Sequence, residues 1–364
     1  KQIDGIKSNT PHYDMPLVNG VDEAALFVNP AKGKHGTTLD YTVGKGRNLA
    51  IHVRGNPNVT GAIMPRRFLN VFPAKDGKAR QLKKGSGRLE LAEAIVNEAA
   101  PLAARVIVNR VWQHHFGRGL VPTPSELGFS GEPPSHPELL NDLTARFVKS
   151  GWSIKWLHRE IIRSAAWKQS IPSTHAQKLD PDNQLISHMN RRRLEAEELR
   201  DAILATSGAL NKKMGGPGFY LFALEKTAHS PHYEYYKFDP ADTKSHRRSV
   251  YRFIVRSQPD PFMTTLDCAD SSQSTPQRDE TLTALQALSL LNNKFTLHMA
   301  GRFAKRLEKE SKTLKGRIRR AHQLTTGRPP TAKEMVALNA YAQKHGLNNL
   351  CRVLFNLSEF TYVD

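Results

Sequence analysis

The chain has 364 residues and a mass of 40.8 kDa, room for one large domain or two to three ordinary ones and for a sizeable core. Lysine and arginine outnumber aspartate and glutamate by 53 to 34, a formal charge of +19, so the long-range field attracts polyanions: nucleic acid, sulfated or carboxylated polysaccharide, an anionic surface or an acidic partner domain. The two cysteines, Cys268 and Cys351, form no C-x-x-C or C-x-x-C-H, which argues against a zinc ribbon, a thioredoxin motif and c-type haem attachment within this chain, and no apolar run approaches the ~20 residues of a membrane span.

Residues 1–85 are rich in Gly, Asn and Pro, with short alternating pieces, "TTLDYTV" and "NLAIHVRG", that read as strands closed by turns. The opening "KQIDGIKSNTPHYDMP" lacks the apolar stretch of a signal peptide and also fits a fragment of something longer. "HVRGNPNVTGAIMPRRFL" is expected as a loop carrying Arg54, Arg66 and Arg67. From "SGRLELAEAIV" onward the periodicity becomes helical. Helices are expected near 102–116, 154–166, 194–207, 281–292, 294–309, 314–325 and 347–357. Ser135-x-x-Glu138 and Thr331-x-x-Glu334 are capping-box signatures that mark two helix starts.

The stretch 211–246 reads as a long loop or hairpin, and "RRSVYRFIV" after it as a strand or a helix. The helix from Thr281, apolar nearly all round through Leu282, Leu285, Leu288, Leu290 and Leu291, is expected to be central and buried. The two cysteines are expected as free, largely buried thiols, with a single disulfide as the alternative. The fold expectation is mainly α: a helical domain over 86–364 behind a small β-containing or irregular N-terminal segment, 1–85.

Within "RVIVNRVWQHHFGRGLV" a wheel of roughly 100° per residue places Ile107, Val108, Val111, Trp112 and Phe116 on one apolar arc, with Asn109, Arg110, Gln113 and His114 opposite. His115 falls inside the apolar arc. It is either a core histidine bonded to a backbone carbonyl or a buried proton carrier. Glu195 likewise falls in the apolar arc of "NRRRLEAEELRDAILATSGAL". A carboxylate there needs a partner, from Arg191, Arg192, Arg193 or elsewhere; the alternative is a general acid or base with a raised pKa. In "RSQPDPFMTTLDCADSSQSTPQRDETL", Asp260, Asp267, Asp270, Arg278 and Asp279 sit in a turn-rich loop ahead of the apolar helix. They either cap helices and close Asx turns or build a site on a rigid support. "HSPHYEYYKF" either stacks a ligand or packs on its own domain. Phosphate-loop, dinucleotide, zinc-protease and serine-hydrolase signatures are absent, and no metal-ligand set stands out.

The segments "RVIVNRVWQHHFGRGLVPTPSELGFSGEPPSHPELLNDL", "FVKSGWSIKWLHREIIRSAAWKQS", "DPDNQLISHMNRRRLEAEELRDAILATSGALN" and "ALQALSLLNN" closely resemble the planctomycete-type domain of unknown function numbered 1553. With "HVRGNP" and "LFNLSEFTYVD" the resemblance runs from about residue 50 to the end. It implies an exported protein, periplasmic or extracellular, of bacteria that consume complex, often sulfated, polysaccharides. It also implies a partner domain ahead of this one, often with a cytochrome-c-like domain. It supplies no catalytic residue. The landmark polar positions present here are Asn109, Arg110, His114, His115, Arg118, Asn190, Arg191, Arg192, Glu195 and Asn292.

Three functions compete. The first is the C-terminal part of an exported multidomain protein handling anionic polysaccharide, with His115, Glu195 and Asp267 as candidate catalytic groups. Asn109, Arg110, His114, Arg118, Arg191, Arg192 and Arg278 are its candidate substrate contacts. The second is a non-catalytic scaffold or docking domain for an acidic or cytochrome-type partner or a cell-surface polyanion. The third, nucleic-acid binding, is permitted by charge and supported by no reader motif. Whether the chain is an enzyme, which cofactor it takes and its oligomeric state stay open at this stage.

Overall fold

The computed structural model describes residues 2–9, 20–30, 37–56, 59–226 and 230–363. Lys1 and residues 10–16 of the polar opening, Pro57 and Asn58 of the expected arginine loop, and His229 of the aromatic segment lie outside them. The chain divides into two compact units, Lys1–Ile107 with Thr144–Trp152, and Val108–Leu143 with Ser153–Asp364.

The first unit begins with a short helix, α1 (Gln2–Asn9), and continues as two antiparallel hairpins. The first pairs β1 (Ala24–Pro30) with β2 (Thr37–Val43), the latter being the "TTLDYTV" strand. The second pairs β3 (Leu49–His52) with β4 (Thr60–Met64) across a register shift between Ala50 and His52. The stretch expected as an arginine loop therefore contributes a strand, because "TGAIM" pairs back onto "LAIH". A two-stranded ribbon buries little, and the unit's small core is built elsewhere: Phe68 and Ala99 pack with Ala94 of α2 (Arg88–Asn97), and Phe72 lies beside Phe68 with ring centroids 5.9 Å apart.

Two helices contribute residues to both units, α3 (Ala100–Phe116) and α4 (Pro137–Lys149). Glycine ends α3: Gly117 has φ 78° and its N–H donates to Gln113 O. The predicted capping box at Ser135 does not form. Pro137 occupies the first helical position, and Ser135 bonds Leu120 O through both its N–H and its hydroxyl instead.

The second unit is helical. It adds α5 (Ile154–Arg163), α6 (Thr174–Leu179), the two-residue strand β5 (Arg192–Arg193), α7 (Ala196–Thr206), and a hairpin of β6 (Ala223–Lys226) with β7 (Pro231–Glu234). There follow α8 (Pro261–Thr265), α9 (Ala284–Asn292), α10 (Lys294–Glu310), α11 (Leu314–Thr326), α12 (Ala332–His345), α13 (Leu347–Leu354), α14 (Ser358–Thr361) and β8 (Tyr362–Val363). The capping box at Thr331 is present: its hydroxyl accepts from Glu334 N, and Glu334 accepts from Thr331 N. "RRSVYRFIV" is neither strand nor α-helix but a 3-10 turn, Ser249–Tyr251.

The core of this unit is organised by α10. Phe295, Met299, Phe303 and Leu307 recur every fourth residue and are all buried, the stripe a core helix needs. They meet α13 and α14, where the Phe303 and Phe355 rings stack at 5.6 Å and Phe360 lies 5.3 Å from Phe355. Each such side chain contributes about 1.5–3 kcal/mol of burial. Cys351 is free and buried there, and Cys268 is free and half-buried.

One expectation is reversed by packing. The apolar helix from Thr281 becomes α9, and it is not enclosed: Leu290 and Gln286 face inward, whereas Leu282, Leu285 and Leu288 are exposed by 84%, 64% and 53%. A sequence apolar on every side cannot show which side is covered, and here the amide of Gln286 is the buried group.

Candidate functional site

The charged run Asn190–Glu195 is placed by three local devices. Asn190 ties it to the end of α3, its amide donating to Phe116 O at 2.8 Å. Arg192 and Arg193 then pair antiparallel with Val363 and Tyr362. Successive side chains of a strand leave on opposite faces, which sends Arg192 to Glu198 (2.7 Å) and Arg193 to Asp267 (2.9 Å). Glu195 is the N-cap of α7, and its backbone N–H donates to Glu198, three residues on. Glu195 is thus not a core group. It stands at the positive end of α7, where a carboxylate is favoured by the helix dipole.

These residues wall a cleft of about 640 Å³. Five arginines line it, Arg118, Arg191, Arg192, Arg193 and Arg278, and so do His114, Glu195 and Asp267. His114 is exposed, with its Nδ1 3.9 Å from a Glu195 oxygen. Arg278 lies 3.6 Å from Glu195 and 3.3 Å from Glu197. Arg118 is turned to a carbonyl, that of Asp182 (3.3 Å). For Arg192, burial lowers its pKa, but the Glu198, Glu195 and Glu280 carboxylates outweigh it and leave the guanidinium more firmly protonated than usual. For Arg278, burial is likewise outweighed by Glu197 and Glu195. Burial pushes the Glu197 carboxyl up, yet the helix N–H, Arg278 and Cys268 prevail and keep it below its ordinary value.

Asp267 sets the floor of the arrangement. Its backbone is left-handed, φ 64°. Its carboxylate accepts from Arg193 Nη1, Thr281 N, Thr281 Oγ1 and Gln286 Nε2, all at 2.9 Å. An oxygen pair this saturated has little capacity left to accept from a ligand. Its chemistry is to hold, and the neighbouring Asp260 and Asp270 hold too: Asp260 caps α8 and Asp270 closes a turn onto Ser272 N.

Seven of the ten sequence-picked residues therefore share one cleft: His114, Arg118, Arg191, Arg192, Glu195, Asp267 and Arg278. Three stand apart from its lining. Arg110 is exposed elsewhere on α3. Asn109 is fully buried and clamps Val121, donating to its carbonyl (3.0 Å) and accepting from its N–H (2.8 Å). A Cβ on Gly119 would come within 2.8 Å of that amide, so the exit loop requires glycine there. His115 turns to His158, Nε2 to Nδ1 at 2.8 Å, with the Trp167 ring edge-on at 4.9 Å. His115 and Glu195, both candidate catalytic groups, do not share the cleft; His114 is the histidine beside the carboxylate.

The ten picked residues leave out Gln113, which is buried and donates to Pro276 O at 3.3 Å, and Arg193 and Glu197, which brace the cleft. They also leave out Arg200, 1% exposed, whose guanidinium donates to the carbonyls of Ser245 and Arg247 and to Ser249 Oγ. Burial lowers the Arg200 pKa to about 10, so it is still cationic at neutral pH. The aromatic segment packs on its own unit, with Tyr233 and Tyr235 against the buried Phe222 ring at 5.0 and 5.4 Å. Among the described residues no group of three or more His, Cys, Asp or Glu is placed to hold a metal ion, and no helix is long and apolar enough to cross a membrane.

No curated protein and no solved structure matches the chain. A family model does, over residues 87–342, narrower at both ends than the resemblance read from the sequence but including α2, α3, the whole cleft and the α9–α11 core. The chain belongs to the PSD1 family, proteins of unknown function also designated DUF1553.

Proposed function

We propose that the cleft binds the sulfate groups of an anionic polysaccharide, as one part of a longer exported protein. The observation that carries this reading is the convergence of Arg118, Arg191, Arg192, Arg193 and Arg278 on one open cleft. A guanidinium offers paired donors whose geometry matches sulfate and carboxylate oxygens. Arg192 and Arg193 are held in place by Glu198 and Asp267 at 2.7 and 2.9 Å, whereas Arg118 and Arg278 make longer contacts of 3.3 Å with Asp182 O and Glu197. His114 and Glu195 stand 3.9 Å apart at the cleft wall, beyond hydrogen-bond reach, so a proton passes between them only through a ligand group or a water.

Calorimetric titration of a heparin-derived tetrasaccharide against its desulfated counterpart tests the reading. Binding of the sulfated form alone is expected, weakened about tenfold or more by the Arg118→Ala, Arg191→Ala double variant, since each charge-assisted hydrogen bond lost is worth roughly 1.5–3 kcal/mol. Equal binding of both sugars, or of both proteins, would discard it. A second reading, docking of an acidic partner domain without chemistry, draws on the same arginines and on the saturation of Asp267. Under it, His114→Ala and Glu195→Gln leave every measurable turnover unchanged.

A further inference from the structure

From Cys268 to Glu280 the chain forms no regular element, and from Asp270 onward it is mostly exposed. Its stem is nevertheless closed. Asp267 and Thr281 are joined by hydrogen bonds of 2.9 Å, and Arg193 and Gln286 share the same carboxylate. A loop whose ends are pinned together moves as a flap, keeping its stem while its tip swings.

The tip is held more loosely than the stem. Gln113 reaches Pro276 O at 3.3 Å, while its own Oε1 is buried without a hydrogen-bond partner, a state that costs about 1–3 kcal/mol. Arg278 lies 3.3 Å from Glu197 and 3.6 Å from Glu195. The fixed pairs beside it are closer, 2.7 Å for Arg192 with Glu198 and 2.9 Å for Arg193 with Asp267. Glu195 and Glu197 stand at the cap and first turn of α7, where helix N–H groups stabilise negative charge without help from Arg278. When the guanidinium leaves, Glu197 keeps the α7 N–H groups and Arg252, 3.9 Å away.

We propose that the loop is a lid latched by Arg278, and that an anionic group of the ligand opens it by drawing the guanidinium away from Glu195 and Glu197. The inference rests on the cleft being an anion site. It also names the ligand class. Arg278 and Thr275 border both the 640 Å³ cleft and a neighbouring cavity of about 260 Å³. With the latch withdrawn the two become one groove, which suits an oligomer bearing anionic groups on adjacent units better than a single charged sugar.

Hydrogen exchange of the whole chain, with and without the heparin-derived tetrasaccharide, tests the lid. Exchange over 268–280 is expected to change on binding while the α10 amides stay constant. Glu197→Gln, which removes the main latch partner and keeps Arg278, is expected to bind the tetrasaccharide about tenfold more tightly, the gain from freeing a site closed roughly nine-tenths of the time. If the wild-type chain binds the tetrasaccharide and loop exchange stays the same, the lid is overturned and the anion site stands. Weaker binding by a folded Glu197→Gln chain also overturns the lid. Absence of binding by both proteins removes the anion site and the lid together.

Discussion

Asp267 combines a left-handed backbone with a carboxylate that serves four donors from Arg193, Thr281 and Gln286. Removing it strands a guanidinium that is 7% exposed. We expect Asp267→Ala to lose about 3–5 kcal/mol, the range for breaking a buried ion pair. Asp267→Asn, which tolerates the same φ and keeps one acceptor, is expected to lose less. Denaturant midpoints decide it: a loss in the alanine variant below about 0.5 kcal/mol, the range of ordinary surface changes, would make the clamp irrelevant to stability. The sequence marks Asp267 as a candidate but not its saturation, because its donors come from distant stretches that meet only on folding. The same holds for the two adjacent histidines. Helical geometry separates their directions by about 100°, and that much is legible. The partner of His115 is His158, 43 positions away, and nothing local points to it.

At the level of elements, the hydrophobic period locates α10 and α11 to within a residue or so, and the capping box at Thr331 marks the start of α12. The period misjudges facing where hydropathy is a poor guide. Asn109 and Gln113 were placed outward as amides, yet each is buried because the folded chain offers it backbone partners. In α9 the reverse occurs. Leu285→Gln and Leu288→Gln are therefore expected to shift stability by less than about 0.5 kcal/mol each, whereas Leu290→Ala, at a site 3% exposed, is expected to cost about 2–5 kcal/mol. Thermal melts of the three variants check this, and comparable losses in all three would mean that the leucine face is covered in solution.

The contact of α3 with α5 titrates. Burial lowers the His115 pKa below its ordinary 6.5, and the positive fields of His158, His114 and Arg192 add to this. A histidine depressed in the folded state takes up protons more readily when unfolded, so its stabilisation is complete above pH 6.5 and is lost as pH falls from there toward the folded value. The His115–His158 hydrogen bond needs one ring nitrogen as an acceptor, and double protonation removes it. Melting temperature is expected to fall as pH drops below 6.5, and His115→Asn is expected to flatten that part of the profile. An unchanged profile in the variant would assign the loss to other groups.

Over the whole molecule, 53 basic residues against 34 acidic ones produce a field that draws any polyanion, and this field hides the site when binding alone is measured. Fold class is legible at this scale because periodicity and turn residues agree along the chain; function is not, because charge is additive and carries no shape. The arginines of the cleft supply the shape. Two kinds of binding should then separate by their response to salt and to substitution. Duplex DNA, held by the diffuse surface charge, should lose affinity steeply as salt rises, and Arg118→Ala, Arg191→Ala should change it little, since two charges are a small part of the excess. The sulfated tetrasaccharide is short, so fewer counterions are released, and its affinity should fall more gently with salt while depending strongly on those two arginines. Titrations of both ligands against both proteins at two salt concentrations make the comparison. If the substitutions weaken DNA and tetrasaccharide by the same factor, the cleft adds nothing to the general field, and the arginines act as surface charge alone.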